Sequence, residues 1–281
     1  MPRHRLPVRP VLLLALLVAL AGCGADGPRD LLDAAPAALE DAGTSRFEME
    51  VAAVGEGVDS SFAATGEQDL AAGTLRMETD LGLDATRTQT LVAGETIYLR
   101  SPLFEMFTGD PDRWVRVDMA EASRTAGLEL DTLVEGNTGP AALVQQLRGA
   151  VDDIEELGTE QVRGVDTHHL RVTVDTDRAI EQSPQQLREQ LRTFVEASGL
   201  PATYPMEVWI DDDALVRRVR TIVEVQDETA GPVTQQTTLE LFDFGIPVRI
   251  EPPHPDDVVD MQALLDDLAA LEEELDRAGL D

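Results

Sequence analysis

The most specific chemistry in this sequence belongs to its only cysteine, Cys23, which closes the tetrapeptide Leu20-Ala21-Gly22-Cys23. Arg3, Arg5 and Arg9 precede an aliphatic run from Val11 to Leu20 that is too short to span a bilayer and stops at two small residues. That order is a lipobox. In bacterial lipoproteins of this pattern the cysteine thiol takes a diacylglycerol and the signal is cut just before it, so Cys23 becomes the first residue of a lipid-anchored chain. Residues 1–22 are therefore expected to be a signal peptide and residues 23–30 a lipidated tether. The expected location is the extracytoplasmic face of the cell membrane. A lone unpaired thiol in an exported protein would otherwise be a liability.

Other residues offer little to a chemist. Besides His4 in the signal, the histidines are His168, His169 and His254. Neighbours on a strand point to opposite faces, so His168 and His169 cannot share a metal without a bulge, and His254 lies among prolines. There is no Gly-x-Ser-x-Gly elbow, and with Cys23 committed to lipid no thiol is left as a nucleophile. Gly55-Glu56-Gly57-Val58-Asp59-Ser60 fails the dinucleotide fingerprint at its last glycine. A calcium loop starting at Asp211-Asp212-Asp213 would need glycine at Val216 and glutamate at Ile222, so this stretch reads as a polar hairpin turn. The expectation is a protein that is not an enzyme and carries no metal and no cofactor.

Composition narrows the partners. The formal net charge is −32 and the chain has no lysine, which rules out a Walker lysine and leaves every fixed positive side chain an arginine. A body this acidic repels polyanions, so no nucleic acid partner is expected. Arginine without lysine and a single asparagine, Asn137, look like the product of a GC-rich genome. Without a second cysteine there is no internal disulfide, and with 43% hydrophobic but only 4% aromatic residues the core must be built mainly from Val, Leu, Ile and Ala.

The elements that position these residues are mostly strands. Asp30 to Ala42 carries Leu31, Leu32, Ala35, Ala38 and Leu39 at helical spacing, closed by Gly43. Arg46 to Val54 then alternates, with Phe47, Met49, Val51 and Ala53 on one face and Glu48 and Glu50 on the other. Ser61 to Leu70, Thr74 to Leu81, Thr86 to Ala93, Glu95 to Arg100 and Trp114 to Asp118 continue the series across glycine-bearing joints, the pace of an antiparallel meander. Ser101 to Asp112 reads as a loop crowded with Leu103, Phe104, Met106 and Phe107.

From Met119 to Gly158 the period becomes helical, with Leu143, Val144, Leu147 and Val151 on a stripe after Pro140. Thr159 to Asp175 returns to strand, Ser183-Pro184 opens a helix ending at Gly199, and Pro205 to Ile210, Val216 to Val225 and Thr234 to Phe244 complete the sheet. After Pro253, apolar residues from Val258 to Leu275 ride on an acidic helix. The expected fold class is α+β, a strongly curved antiparallel half-barrel sheet over helices with an acidic C-terminal helix. Residues 31–253 are expected to be the domain and 254–281 a helical tail.

What survives this sieve is apolar. A sheet with one polar face must set its other face against something. That face is either solid core or a hollow lined by Phe47, Met49, Val51, Leu75, Met77, Ile97 and Leu99 that takes an acyl chain. The loop residues Leu103, Phe104, Met106 and Phe107 are the candidate mouth or membrane contact.

A resemblance favours the hollow. Gly164-Val165-Asp166-Thr167-His168-His169-Leu170-Arg171-Val172-Thr173-Val174-Asp175 resembles a strand of the mycobacterial LppX, LprA, LprF and LprG lipoprotein family. So do Tyr204-Pro205-Met206-Glu207-Val208-Trp209-Ile210-Asp211 and Phe242-Asp243-Phe244-Gly245. With Asp112-Arg113-Trp114-Val115-Arg116-Val117-Asp118 in the middle, the match runs from about Leu31 to Pro253, carried by order and spacing. The family looks like the carrier LolA in architecture. The resemblance implies binding and movement of acylated glycolipids or related lipids in the cell envelope, without catalysis. The expected function is an anchored lipoprotein that carries or presents lipid, its partners being that lipid, the membrane and a possible transporter. The alternative is a non-enzymatic interaction or sensor module of the same shape, docking on a transporter or regulatory membrane protein.

Overall fold

The computed structural model describes residues 27–82, 87–121, 144, 151–183, 185, 188–227 and 231–266. In chain order the elements are α1 (Pro28–Ala42), β1 (Thr44–Gly55), β2 (Val58–Asp69), β3 (Thr74–Asp80), β4 (Arg87–Ala93) and β5 (Thr96–Arg100). A 3-10 turn at Pro102–Phe104, the short helix α2 (Glu105–Thr108) and β6 (Trp114–Asp118) follow. Then come β7 (Val151–Val162), β8 (Val165–Asp175), α3 (Thr176–Gln182), α4 (Arg188–Ser198), β9 (Thr203–Ile210), β10 (Val216–Asp227), β11 (Gly231–Phe242) and β12 (Val258–Asp260).

Alternation turns into hairpins where glycine can reverse the chain. Gly57 and Gly73 take φ of 76° and 62°, a left-handed conformation that side-chain-bearing residues resist, at the β1–β2 and β2–β3 joints. The twelve strands form one sheet in the order β12-β6-β5-β4-β3-β2-β1-β11-β10-β9-β8-β7. It is two meanders, β1 to β6 and β7 to β11, fused where β1 pairs antiparallel with β11. All pairings are antiparallel except that of β12 on β6.

Register decides which side chains share a face, because directly opposed residues in an antiparallel pair point the same way. Phe47 is opposed by Leu241 on one side and Gly66 on the other, and Met49 by Leu239 and Ala64. Leu239 continues through Val219 and Val208 to Leu170. This inner face meets α1, whose Leu31, Leu32, Ala35 and Leu39 are buried at i, i+1, i+4 and i+8. Gly43 ends α1 at φ 72°, its N–H donating to the carbonyls of Leu39 and Glu40. One contiguous core joins α1 to Val92 on β4 and Val174 on β8, residues seven strand positions apart in the sheet order. Flat, that span would be roughly 34 Å, so the sheet curves over its helical filling as a half-barrel.

Five sequence expectations need correction. The helical region placed from Met119 to Gly158 gives way at Val151 to β7, whose register shifts between Val151 and Ile154 and between Glu156 and Gly158. Those irregularities break the two-residue period, and an acidic strand with Val151 and Ile154 three apart imitates a helix. Of the helical stripe proposed there, Val144 is helical and fully buried; Thr138 to Leu143 and Leu147 lie outside the described residues. Second, Ser183, read as a helix start, closes α3, its N–H donating to the Ile180 carbonyl, while Asp175 caps the start of α3 by accepting from the Arg178 N–H at 2.8 Å. Third, Ser101 to Asp112 is not an irregular loop but a 3-10 turn followed by α2.

Fourth, residues 254–260, assigned to a helical tail, contain a 3-10 turn at Pro255–Asp257 and the strand β12. The sheet therefore runs past Pro253 to Asp260, and helix follows at 261–266. At the other end, Pro28 to Asp30, read as tether, form the first turn of α1.

Candidate functional site

The seven residues proposed to line a hollow all fall on the inner face. Phe47, Gly66, Met77, Thr90, Leu99 and Val115 form one rank across β1 to β6. Leu75, Val92, Ile97 and Val117 form the next rank, and Met49 and Val51 lie further along β1. Their burial separates them. Phe47 and Leu75 are in the packed core, whereas Met49, Val51, Met77, Ile97 and Leu99 are only half-buried. Two further half-buried inner-face residues were not picked out from sequence, Phe62 opposite Val51 and Val117 opposite Ile97. Strand alternation carried forward from the Gly57 turn would have placed Phe62.

Phe47 marks where the packing changes. A Cβ on Gly66 would lie 2.5 Å from Phe47 Cζ and 2.3 Å from the Arg76 carbonyl oxygen. The Phe47 ring therefore occupies the space of the missing side chain. On the β11 side of this ring, inner-face residues such as Leu241, Val219, Val208 and Val172 are at most 2% exposed. On the β3 to β5 side the apolar surface is partly open.

The strand ends orient this surface. The β1–β2, β3–β4 and β5–β6 connections lie at one end of the sheet, together with the start of β7. At that end a cleft of about 400 Å³ opens on the outer face instead, among Glu50, Ala52, Ser61, Ala63, Asp80 and Gln236. The candidate mouth residues lie there too. Leu103, Met106 and Phe107 are 58%, 81% and 47% exposed, and Phe104 is half-buried. Arg29, in the first turn of α1, donates to the Asp152 carbonyl at 2.9 Å, which brings the start of α1 to the same end. Cys23 lies outside the described residues.

The outer face is polar and crosslinked. Glu240 takes Arg218 Nη2 at 2.6 Å and Arg163 Nε at 2.7 Å, and Arg163 also pairs with Glu48. Burial works to raise the Glu240 carboxyl pKa, but the Arg163 and Arg218 guanidiniums overcome it and hold the group below its ordinary value. Glu207 behaves alike, its burial outweighed by Arg171 and Arg220. Trp209 is buried on this face, stacked on His169 with ring centroids 4.1 Å apart and donating through Nε1 to Glu160 at 2.9 Å.

His168 instead meets Asp212 at 2.9 Å, so the two histidines serve different surroundings. The Asp211 carboxylate, buried in its hairpin turn, accepts from the N–H groups of Asp213 and Leu215 and from Arg217 Nε. Among the described residues no three His, Cys, Asp or Glu side chains are arranged to hold a metal ion, and no helix is long and apolar enough to cross a membrane.

No protein-family model matches the chain. A Streptomyces griseus protein, described as an uncharacterized 31.2 kDa protein in the rplA-rplJ intergenic region, is 29% identical over 158 residues, which is 54% of this chain. The match spans about half of that relative's length, 49%. The solved structures similar to this chain include the Mycobacterium tuberculosis lipoprotein LppX, at 18% identity over 80% of this chain and 100% of that one, with a TM-score of 0.45. They also include LprF from Mycobacterium bovis, at 17% identity over 80% of this chain and 96% of that one, with a TM-score of 0.46. Both are among the lipoproteins that the sequence resembles.

Proposed function

We propose that the chain is a lipid-anchored, extracytoplasmic, non-enzymatic protein that shelters the acyl chains of a lipid or acylated glycolipid against the half-open inner face of β1 to β6. The supporting observation is the placement of Met49, Met77, Ile97 and Leu99 on one face, only half-buried at the edge of the core, beside a continuation of the same face that is mostly closed. Contiguous apolar surface left open is a common mark of a binding or interaction site. Each methylene buried there contributes about 0.8 kcal/mol, so a chain of ten or so carbons binds usefully even after ordering costs. Cys23 holds the body to the membrane through diacylglycerol.

Native mass spectrometry of the purified protein tests it. Lipid is expected to co-purify, and Ile97→Trp, which fills the open surface, is expected to cut loading severalfold while leaving the circular dichroism spectrum unchanged. Bare protein from a lipid-replete host, together with loading that Ile97→Trp does not alter, would discard the proposal.

A second reading, an interaction module docking on an envelope membrane protein, draws on the acidic segment that follows β12, the strand that the Arg116–Asp260 pair holds to the sheet edge. Truncation after Asp266 spares β12 and separates the two. A carrier keeps its lipid, whereas a docking protein loses its partner.

A further inference from the structure

The exposed turn between β5 and β6 stands out from the rest of the surface. Of the exposed large hydrophobic residues among those described, three lie within five positions: Leu103, Met106 and Phe107. They are held in place. The buried Ser101 hydroxyl accepts from the Leu103 N–H at 3.4 Å and from the Thr88 hydroxyl at 3.2 Å. The Phe104 N–H donates to the Ser101 carbonyl and the Gly109 N–H to the Glu105 carbonyl. Thr108 Oγ1 donates to the Phe104 and Asp110 carbonyls. A turn with much of its backbone paired internally and its apolar side chains pointing out can set Leu103, Met106 and Phe107 into a hydrocarbon boundary while the exposed Glu105 stays with the headgroups and water.

Its position selects the surface it meets. The knuckle lies at the end of the sheet where β3 meets β4 and β7 begins, the end at which Arg29 reaches the Asp152 carbonyl. Cys23 stands five positions before Pro28, and five extended residues reach at most about 18 Å. An acylated Cys23 therefore keeps this end, and not the Gly73 and Gly94 end, close to the bilayer. The strong acidity of the chain, −32 over its full length, opposes electrostatic adhesion to anionic lipid, so contact must come from apolar side chains.

We infer that Leu103, Met106 and Phe107 form a membrane-insertion knuckle, a second point of contact that with the Cys23 lipid seats this end of the half-barrel on the bilayer surface, the open apolar face directed at its source of acyl chains. The inference rests on the anchored reading given under Proposed function.

The test uses the chain as the cell processes it. Cys23 is the only cysteine, so once it is acylated a cysteine at 106 is the sole free thiol. Met106→Cys, labelled with an environment-sensitive dye in the full chain processed by a bacterial host, is reconstituted in phosphatidylcholine vesicles. Ala71→Cys, exposed at the opposite end, is the control. The dye at 106 is expected to shift to the blue and to be quenched by brominated phosphatidylcholine. The dye at 71 is expected to report water, and Leu103→Ser with Phe107→Ser to remove most of the quenching at 106.

A dye at 106 that reads water, or quenching that survives the serine pair, overturns the proposal. A blue shift without bromolipid quenching means protein covers the knuckle and overturns it equally. Intact mass distinguishes failure of the premise: a chain lacking diacylglycerol on Cys23 defeats the anchor and the knuckle together, while quenching lost on an acylated chain defeats the knuckle alone.

Discussion

Leu241 and Leu99 are leucines on the inner face of the same sheet, in the rank that contains Phe47, yet Leu241 is 1% exposed and Leu99 is half-buried. The difference belongs to the two meanders. In β7 to β11 the inner face is closed along Val172, Val208, Val219, Leu239 and Leu241, with Ile154, Tyr204 and Val223 half-buried, and the outer face is tied by Arg163, Arg218 and Glu240, with Trp209 buried among its charged neighbours. In β1 to β6 the inner face is partly open. Its outer ladder, Glu67–Arg76 and Glu78–Arg87, is more exposed, Glu78 and Arg87 at 41% and 64%. One half is built to stay shut, and the other keeps apolar surface available. The proposed binding face draws on that division, the shut half holding the fold and the other supplying the surface.

The largest test of this contrast is the same substitution made on both sides. Leu241→Ala removes atoms from a closed core and is expected to cost about 3 kcal/mol, whereas Leu99→Ala is expected to cost about 1 kcal/mol or less, because its side chain never fully left water. Denaturant unfolding measures both. Equal costs would erase the division. Next comes the boundary itself. Gly66→Ala sets a Cβ against the Arg76 carbonyl, which a rotamer change cannot relieve, and against the Phe47 ring. A loss of about 2 kcal/mol is expected. If the cost is instead near zero, the ring is free to move and the closed half is less rigid than drawn.

The outer faces give a smaller contrast that depends on pH. Glu240 has its folded pKa held below the ordinary 4.5. Such a group adds stability above its unfolded value, and that stability is lost as pH falls through the lowered folded value. Glu240→Gln is expected to cost about 1.5 kcal/mol at neutral pH and to flatten the loss of stability between pH 4.5 and lower values. Glu78→Gln, on the open half, is expected to cost about 0.5 kcal/mol or less, since its partners are mostly in water. Unfolding midpoints from neutral to acid pH separate the two.

Much of this division was written in the residues, but not its consequence. The alternation of Phe47, Met49 and Val51, repeated past glycine turns, was enough to assign the inner face and the meander of β1 to β6. The same pattern could not say which half would be covered, because a half-buried Ile97 and a buried Val92 look alike in sequence. Trp209 and Leu91 are buried on the outer face, Trp209 between His169 of β8 and Arg218 and Arg220 of β10, and no period within one strand reveals such a site. β7 hid its strand character behind two register shifts.

β12 was hidden by distance. Its three residues pair parallel to β6, some 144 positions earlier, with Arg116 Nε donating to the Asp260 carboxylate at 2.9 Å. Apolar spacing after Pro253 reads equally well as helix, and only the partner makes Val258 to Asp260 a strand. This clasp also makes the smallest prediction. Burial acts to raise the Asp260 pKa, yet Arg116, with the backbone N–H groups of Gln262 and Ala263, holds it below the ordinary 3.8. The clasp is therefore complete at neutral pH and weakens as pH falls through that lowered value.

Arg116 is 45% exposed, so Asp260→Asn is expected to cost about 0.5 kcal/mol of global stability, within the range of exposed ion pairs. Its local effect is larger, because three strand residues have little else to hold them against the edge of β6. Amide hydrogen exchange in Val258 to Asp260 is expected to quicken in the variant while β8 and β9 stay protected. If all three segments quicken together, the edge of the open half and the core of the closed half unfold as one unit, and the sheet is not divided in the way that Leu99 and Leu241 suggest.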